Sequence, residues 1–288
     1  MSTRRILDLL REAGYDAEHR PTEGEVELAA ALRDPGDLVV AAGGDGTVRG
    51  VALALAQRPG GDVPLAIAPL GTANNIARTL SLTARTEDLL RGLSTPQKRP
   101  FDLGLIRAPW GEAHFLEAFG FGLFAQGLAN YHPNEGKSLF RAVRAAIRTL
   151  THHQAREWQL ELDGENLSGR YLMVELMNTA AMGLRLRLAP GADPSDGLFE
   201  VVLVREDKSV GINSYIVKLA AGHIEKLPNV TVRQGRHLKL HWDGPPVHFD
   251  EEIRGSDPDK FLEASVLGGT IEVEIRPGAL ELWLPQGT

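Results

Sequence analysis

The chain has no cysteine, which excludes disulfides and thiol catalysis and says little about compartment; the cytoplasm is the default. It has no excess of basic residues either. Its 31 Lys and Arg stand against 38 Asp and Glu, a formal net charge of −7, and a general nucleic-acid binder is not expected to be acidic. No apolar run approaches the ~20 residues that span a bilayer. The N-terminal stretch Met1–Leu10 is broken by Asp8 and followed by Arg11, so it reads as an amphipathic helix over Arg4–Ala13 and not as a signal peptide. Internal repeats and low-complexity tracts are lacking as well. What remains is 288 residues, 43% hydrophobic and 24% charged, enough for one large core or two modest ones.

The most informative segment is Gly43-Gly44-Asp45-Gly46-Thr47-Val48, which follows the short apolar run Leu38–Ala42. That run reads as a buried strand, and Val48, Val51, Ala52 and Leu55 then fall at helical spacing. A strand, a glycine turn and a helix together aim backbone N–H groups and a helix N-terminus at an anion. Glycines at 43, 44 and 46 are expected to let the main chain approach that anion and to adopt positive φ. Asp45 is out of place beside a phosphate. It implies either Mg²⁺ between the two charges or a hydrogen bond to a sugar or substrate hydroxyl.

A second turn repeats the pattern. Pro64–Pro69 is another short apolar strand, and it leads into Leu70-Gly71-Thr72-Ala73-Asn74-Asn75-Ile76. Thr72 is expected to cap the following helix and to offer its hydroxyl to a phosphate, with Asn74 or Asn75 supplying an amide. Two such turns at the carboxyl ends of parallel strands form one crevice.

These segments resemble the catalytic domain of the diacylglycerol kinase family, in particular its soluble bacterial lipid kinases, relatives of the sphingosine and ceramide kinases. The resemblance continues through Arg99-Pro-Phe-Asp-Leu-Gly104, Phe119-Gly-Phe-Gly122, Ala189–Leu198 and Arg276–Pro285, so it covers nearly the whole chain. It implies transfer of the ATP γ-phosphate to a lipid hydroxyl with Mg²⁺, and transient contact with the inner face of a membrane.

Before residue 100, helices and short apolar strands alternate, the mark of a parallel α/β sheet; after it, alternating strands dominate. The expected architecture is an α/β nucleotide-binding domain of NAD kinase/diacylglycerol kinase type over 1–98, with an antiparallel β-sandwich over 99–278. The resemblance implies that 279–288 returns to the first domain. Strands are expected at 158–162, turning at Asp163-Gly164 into 171–176, and at 198–204, 238–242, 271–275 and 280–284, with helical insertions around 123–131, 137–150 and 208–221. Asp243-Gly244-Pro245-Pro246 reads as a hairpin turn.

By resemblance, a Mg²⁺ is held by the Asp196 side chain and by main-chain oxygens of Asp193 and Leu198, separate from the ion that escorts ATP. Taken alone, Asp196 is an ordinary turn residue. The family's catalytic carboxylate lies in a strand-borne Asp-Gly-Glu, where this chain has Asp250-Glu251-Glu252. If the strand runs through 247–253, alternation puts His248, Asp250 and Glu252 on one face. Glu252 is then the candidate general base, with Asp250 orienting it or binding metal, in a cleft between the domains. A solvated acidic strand end is the competing reading. The family begins with a strand and an Asn-Pro glycine loop, whereas here Met1 runs straight into the first helix. Either the chain starts downstream of the true N-terminus or it is a divergent member with weakened ATP binding. Thr22 matches a threonine that approaches the nucleotide.

Lys137, Arg141, Arg144 and Arg148 form a basic helical stripe, read as a solvated face more readily than as a lipid-headgroup contact. His152 and His153 make a poor metal pair. Phe115, Leu116, Phe119, Phe121, Leu123 and Phe124 are expected in the sandwich core. Two alternatives to a lipid kinase stay open: an NAD kinase, which shares the Gly-Gly-Asp-Gly turn, and a catalytically weakened lipid- or nucleotide-binding pseudokinase.

Overall fold

A computed structural model describes residues 1–58, 63–129, 155–183, 185–207, 209–255 and 268–286. The basic stripe at 137–148, the helical insertion at 137–150 and the pair His152–His153 lie outside these residues. The chain forms two compact units: Met1–Leu103 with Pro194–Asp196 and Pro277–Thr288, and Gly104–Asp193 with Gly197–Arg276.

The first unit runs α1 (Thr3–Glu12), α2 (Glu25–Ala31), β1 (Val39–Gly43), α3 (Asp45–Ala56), β2 (Leu65–Pro69), α4 (Asn75–Thr79) and α5 (Thr86–Gly92). β1 and β2 pair in parallel from Val39↔Leu65 to Gly43↔Pro69, so both glycine turns leave the same edge of the sheet. Val48, Val51, Ala52 and Leu55 of α3 are all buried, as their spacing requires. Leu9 and Leu10 of α1 pack with Ala66 and Ala68 of β2 and with Leu90 of α5 and its C-cap residue Leu93. The Tyr15 hydroxyl closes this layer by donating to the Leu93 carbonyl at 2.7 Å.

The second unit is a sandwich. β3 (Gln97–Ala108) enters it and is followed by β4 (Gly111–Phe115), β5 (Ala118–Gly122), α6 (Leu123–Ala129), β6 (Arg156–Trp158), β7 (Leu160–Leu162), β8 (Glu165–Asn166) and β9 (Gly169–Met177). Then come β10 (Phe199–Arg205), α7 (Ile212–Ala220), β11 (Val230–Gly235), β12 (His237–Trp242), β13 (Val247–Phe249), β14 (Glu252–Arg254) and β15 (Gly269–Leu284). One sheet has the order β11-β10-β9-β5-β13-β14, with β6 pairing with the first residues of β9; the other includes β12 between β15 and β7. Phe115, Phe119, Phe121, Trp158, Phe199 and Trp242 fill the space between the sheets. Phe115 stacks on Phe199 at 5.6 Å between ring centroids. Leu116 is buried, whereas Leu123 and Phe124, the first residues of α6, pack on the other face of the sheet that holds β5 and β9, and not in the inter-sheet core.

Three strand readings are corrected. The run 158–162 is two strands: β6 pairs with β9 in one sheet and β7 with β12 in the other, so the chain changes sheet at Gln159. After Asp163-Gly164 it makes the short β8 and only then β9. Asp243–Pro246 is likewise a crossing between sheets and not a hairpin turn, because β12 and β13 belong to different sheets. Finally, 271–275 and 280–284 are one strand. Its first half pairs with β12, its second reaches β2 at Leu282↔Leu65, and Pro277, lacking an N–H, falls between these partners.

Candidate functional site

The two glycine turns of the first unit touch. A Cβ built on Gly71 would stand 2.5 Å from Gly44 Cα and 2.8 Å from Asn74 Oδ1, and a Cβ on Gly43 would lie 2.3 Å from Thr47 Oγ1. Glycine is thus required here for space. The expected positive φ is not found at Gly43, Gly44 or Gly46; the left-handed residue is Asn74, with φ 51°. Its amide closes the second turn, accepting from Gly71 N–H at 3.0 Å and donating to Gly71 O at 2.9 Å. Leu70 N–H donates to Gly43 O at 2.8 Å, a further link between the turns.

Asp45 makes the third link. Its Oδ1 accepts the Ile76 N–H of α4 at 3.1 Å, so the carboxylate of the first turn caps the helix of the second. α4 begins at Asn75 and its N-cap residue is Asn74, two positions after Thr72. Replacement of Asp45 by alanine is expected to cost about 1 kcal/mol through the lost cap, read as a lowered midpoint in urea. It also removes one of the three links between the turns, which a fall in ATP affinity would report.

The N-terminus of α3 has no comparable side-chain cap. Gly44 is its N-cap residue, and the first intrahelical bond is Val48 N–H to Gly44 O at 3.0 Å. The N–H groups of Asp45, Gly46 and Thr47 therefore have no intrahelical acceptor, and Gly46 and Thr47 are exposed to solvent. These are the features of an anion cradle: an open helix start, neighbouring glycines, and no bulk above them. Gly71 and Thr72 are exposed beside it, and Thr22 is exposed in the loop before α2.

In the second unit the segment 247–253 is not one strand. β13 ends at Phe249, and β14 starts at Glu252 and pairs back on it, Phe249↔Glu252 and Val247↔Arg254. Asp250 turns the chain with φ 49°, so the expected alternation through Glu252 is lost. The Asp250 carboxylate accepts three backbone N–H groups, those of Leu116 at 3.0 Å, Glu117 at 2.8 Å and Ala118 at 3.2 Å. It therefore anchors the hairpin to the β4–β5 connection. Glu252 is half-buried and pairs with Arg254 at 2.9 Å.

Asp193, Asp196 and Leu198 lie in the turn that leads into β10, where Gly197 has φ +74°. Among the described residues no group of three or more His, Asp or Glu is arranged to hold a metal ion. The set offered by this turn is one of carboxylates and main-chain oxygens, the donor type that suits Mg²⁺.

Sequence reasoning missed a buried pair. Glu175 of β9 and His248 of β13 are fully buried and meet at 2.8 Å between Oε2 and Nε2. Burial pushes the Glu175 carboxyl up from its usual range, opposed by the neighbouring imidazole. The available signal was a charge in the middle of the apolar run Tyr171–Met177.

Residues 2–106 match the family model described as the diacylglycerol kinase catalytic domain, and residues 120–284 that described as the YegS C-terminal NAD kinase beta sandwich-like domain. A diacylglycerol kinase of Bacillus subtilis is 27% identical over 89% of this chain and 86% of its own. A Pseudomonas fluorescens protein described as "Probable lipid kinase YegS-like" is 29% identical, over 98% of this chain and 90% of its own. Among solved structures, a diacylglycerol kinase from Bacillus anthracis superposes with a TM-score of 0.71 at 17% identity, covering 98% of this chain and 90% of that one. An NAD kinase from Archaeoglobus fulgidus in complex with ATP superposes at 0.51 and 12% identity, covering 99% and 91%. These two likenesses establish the α/β-plus-sandwich fold.

Proposed function

The chain belongs to the diacylglycerol kinase catalytic-domain family of lipid kinases, and we propose that it transfers the γ-phosphoryl group of ATP to the hydroxyl of a diacylglycerol-like lipid. The observation that carries this reading is the contact between Gly44 and Gly71 beside the uncapped start of α3. Gly43–Thr47 would hold the nucleotide phosphates through main-chain N–H groups at the start of α3, with Gly71–Asn74 beside them, Gly71 giving the space and Thr72 its hydroxyl. Asp45, held on Ile76 N–H through one oxygen, keeps the other for a metal-bound water or a substrate hydroxyl.

In the transfer, the acceptor oxygen bonds to the γ-phosphorus, the bond from that phosphorus to the β–γ bridging oxygen breaks, and ADP leaves. The hydroxyl proton goes to Glu252. Positioning and charge neutralisation supply most of the rate in such reactions. When bound, Mg²⁺ supplies part of that neutralisation, and Asp193, Asp196 and Leu198 offer the oxygens for a second, structural ion. Contact with a lipid surface is transient in this reading, since no helix among the described residues is long and apolar enough to cross a membrane.

The ion pair of Glu252 with Arg254 favours one rival, a chain that binds lipid and nucleotide without turnover. Transfer of radiolabelled γ-phosphate to a panel of lipid alcohols in mixed micelles separates the two. Glu252→Gln is expected to lower kcat by about 10²–10⁴-fold, the usual worth of a general base, with ATP affinity unchanged. Nucleotide binding without transfer to any lipid alcohol would leave the rival reading; transfer to NAD instead would make the chain an NAD kinase.

A further inference from the structure

β13 is only three residues long, Val247–Phe249, yet it sets the place of everything after it in the hairpin. Its partner in the sheet is β5, with Val247↔Phe121, His248↔Gly120 and Phe249↔Phe119. β5 in turn pairs with β9, and Gly120 stands opposite Glu175. Glu175, Gly120 and His248 thus form one row across three strands. The middle member has no side chain, and the outer two meet over it. A Cβ on Gly120 would lie 2.0 Å from Glu175 Oε2, so only glycine leaves room for the carboxylate to reach the imidazole.

The immediate neighbours of the pair on that face are apolar. Ala118, Met173 and Met177 lie on it, and α6 covers it, with the Phe124 ring 5.0 Å from the His248 ring in an edge-on contact. Stability alone would be served there by two more apolar side chains, since burying an ionisable pair is often no better than apolar packing. What the pair adds is register. A ladder of three residues resists slippage weakly, and a slip of two would still point Val247 and Phe249 into the core. Such a slip would, however, leave Glu175 facing a side chain with no ring nitrogen to meet it, in a place sealed from water.

We propose that Glu175 and His248, meeting over Gly120, are positioning residues that pin the register of β13 and thereby the place of the hairpin that carries Asp250 and Glu252. Where Glu252 is concerned this rests on the kinase reading above; the register pin itself does not. With β13 in register, Asp250 falls at the turn, where its carboxylate reaches the three amides of residues 116–118 and its own N–H donates to Ala118 O at 2.8 Å. Glu252 then follows at the first position of β14.

The test is amide hydrogen exchange of residues 247–254, measured beside kcat and KM for ATP. Glu175→Met removes the hydrogen-bonding partner and leaves His248 buried alone. Exchange across 247–254 should rise at least about tenfold, kcat should fall by a similar factor, and KM for ATP should stay within about twofold, because the glycine turns are untouched. Glu175→Gln keeps a hydrogen-bonding partner for the imidazole and should restore exchange and kcat to near the wild-type values. The double variant Glu175→Met with His248→Phe removes the buried polar atoms together. It should regain the wild-type melting temperature while the hairpin still exchanges fast. Wild-type exchange across the hairpin in Glu175→Met would overturn the proposal. So would a double variant with both wild-type exchange and wild-type kcat. If the wild-type protein phosphorylates no lipid while exchange responds as stated, the kinase reading falls and the register pin stands.

Discussion

Asp250→Ala is expected to lower the melting temperature by roughly 10 °C, a large effect for one side chain in a domain of this size. Its carboxylate is buried and accepts the N–H groups of Leu116, Glu117 and Ala118. Alanine leaves three donors without an acceptor, each costing about 1–3 kcal/mol where water cannot replace it. At about 2–4 °C per kcal/mol, a loss of ~3 kcal/mol lowers the melting temperature by about 6–12 °C. The backbone adds a smaller part, because φ at Asp250 is 49° and alanine is poor in that region. Asp250→Asn isolates the two contributions. Asparagine tolerates the left-handed conformation but offers one acceptor oxygen in place of two, so it should lie between wild type and alanine. Calorimetry on the three proteins checks the order, and an alanine variant within about 2 °C of wild type would contradict it.

Gly71→Ala is expected to cut ATP affinity by about 100-fold while costing only ~1–3 kcal/mol of stability. The new methyl group would stand 2.5 Å from Gly44 Cα and 3.3 Å from Gly44 N. Both are main-chain atoms that cannot swing aside as a side chain does, so the turns must part by about an ångström, a displacement of the size that costs a bound phosphate its donors. The fold itself is less affected, since both turns lie at the solvent edge of the sheet. Gly46→Ala is the contrast for stability. Nothing lies within 4 Å of a Cβ there, and the residue sits in the first turn of α3, so folding should be unharmed. Isothermal titration with ATP·Mg²⁺, together with urea denaturation, separates loss of binding from loss of fold.

The parts of the fold legible in the sequence are those governed by local pattern. Val48, Val51, Ala52 and Leu55 declare α3 through their spacing, and the runs before Gly43 and Gly71 declare β1 and β2. Proximity of the two turns follows from parallel pairing of those strands, which short strand–helix alternation already implies. Sheet membership was not legible, because a period of two says which residues share a face and not which sheet owns the strand. Hence Trp158 and Leu160, which look like one strand, belong to opposite sheets. The hairpin at Asp250 escaped for another reason: aspartate is a common turn residue, but nothing around it marks a left-handed backbone.

Long-range polar contacts were the least legible of all. Asp45 caps a helix that starts 30 residues further along, whereas a carboxylate in a glycine turn by itself points to a ligand and not to a distant backbone N–H. Glu175 and His248 stand 73 positions apart and meet only because Gly120 lies between them. Gly120 lies in the Phe-Gly-Phe-Gly segment that helped identify the family, yet its use is visible only once three strands are in register.

The most direct measurement is single-turnover transfer of labelled γ-phosphate from ATP·Mg²⁺ to diacylglycerol in mixed micelles, with wild type, Gly71→Ala and Glu252→Gln run side by side. The account predicts labelled phosphatidic acid from the wild type, recovery of Gly71→Ala at high ATP, and a slow Glu252→Gln at every ATP concentration. An unlabelled lipid with wild-type protein that binds ATP, or full speed from Glu252→Gln, would contradict it.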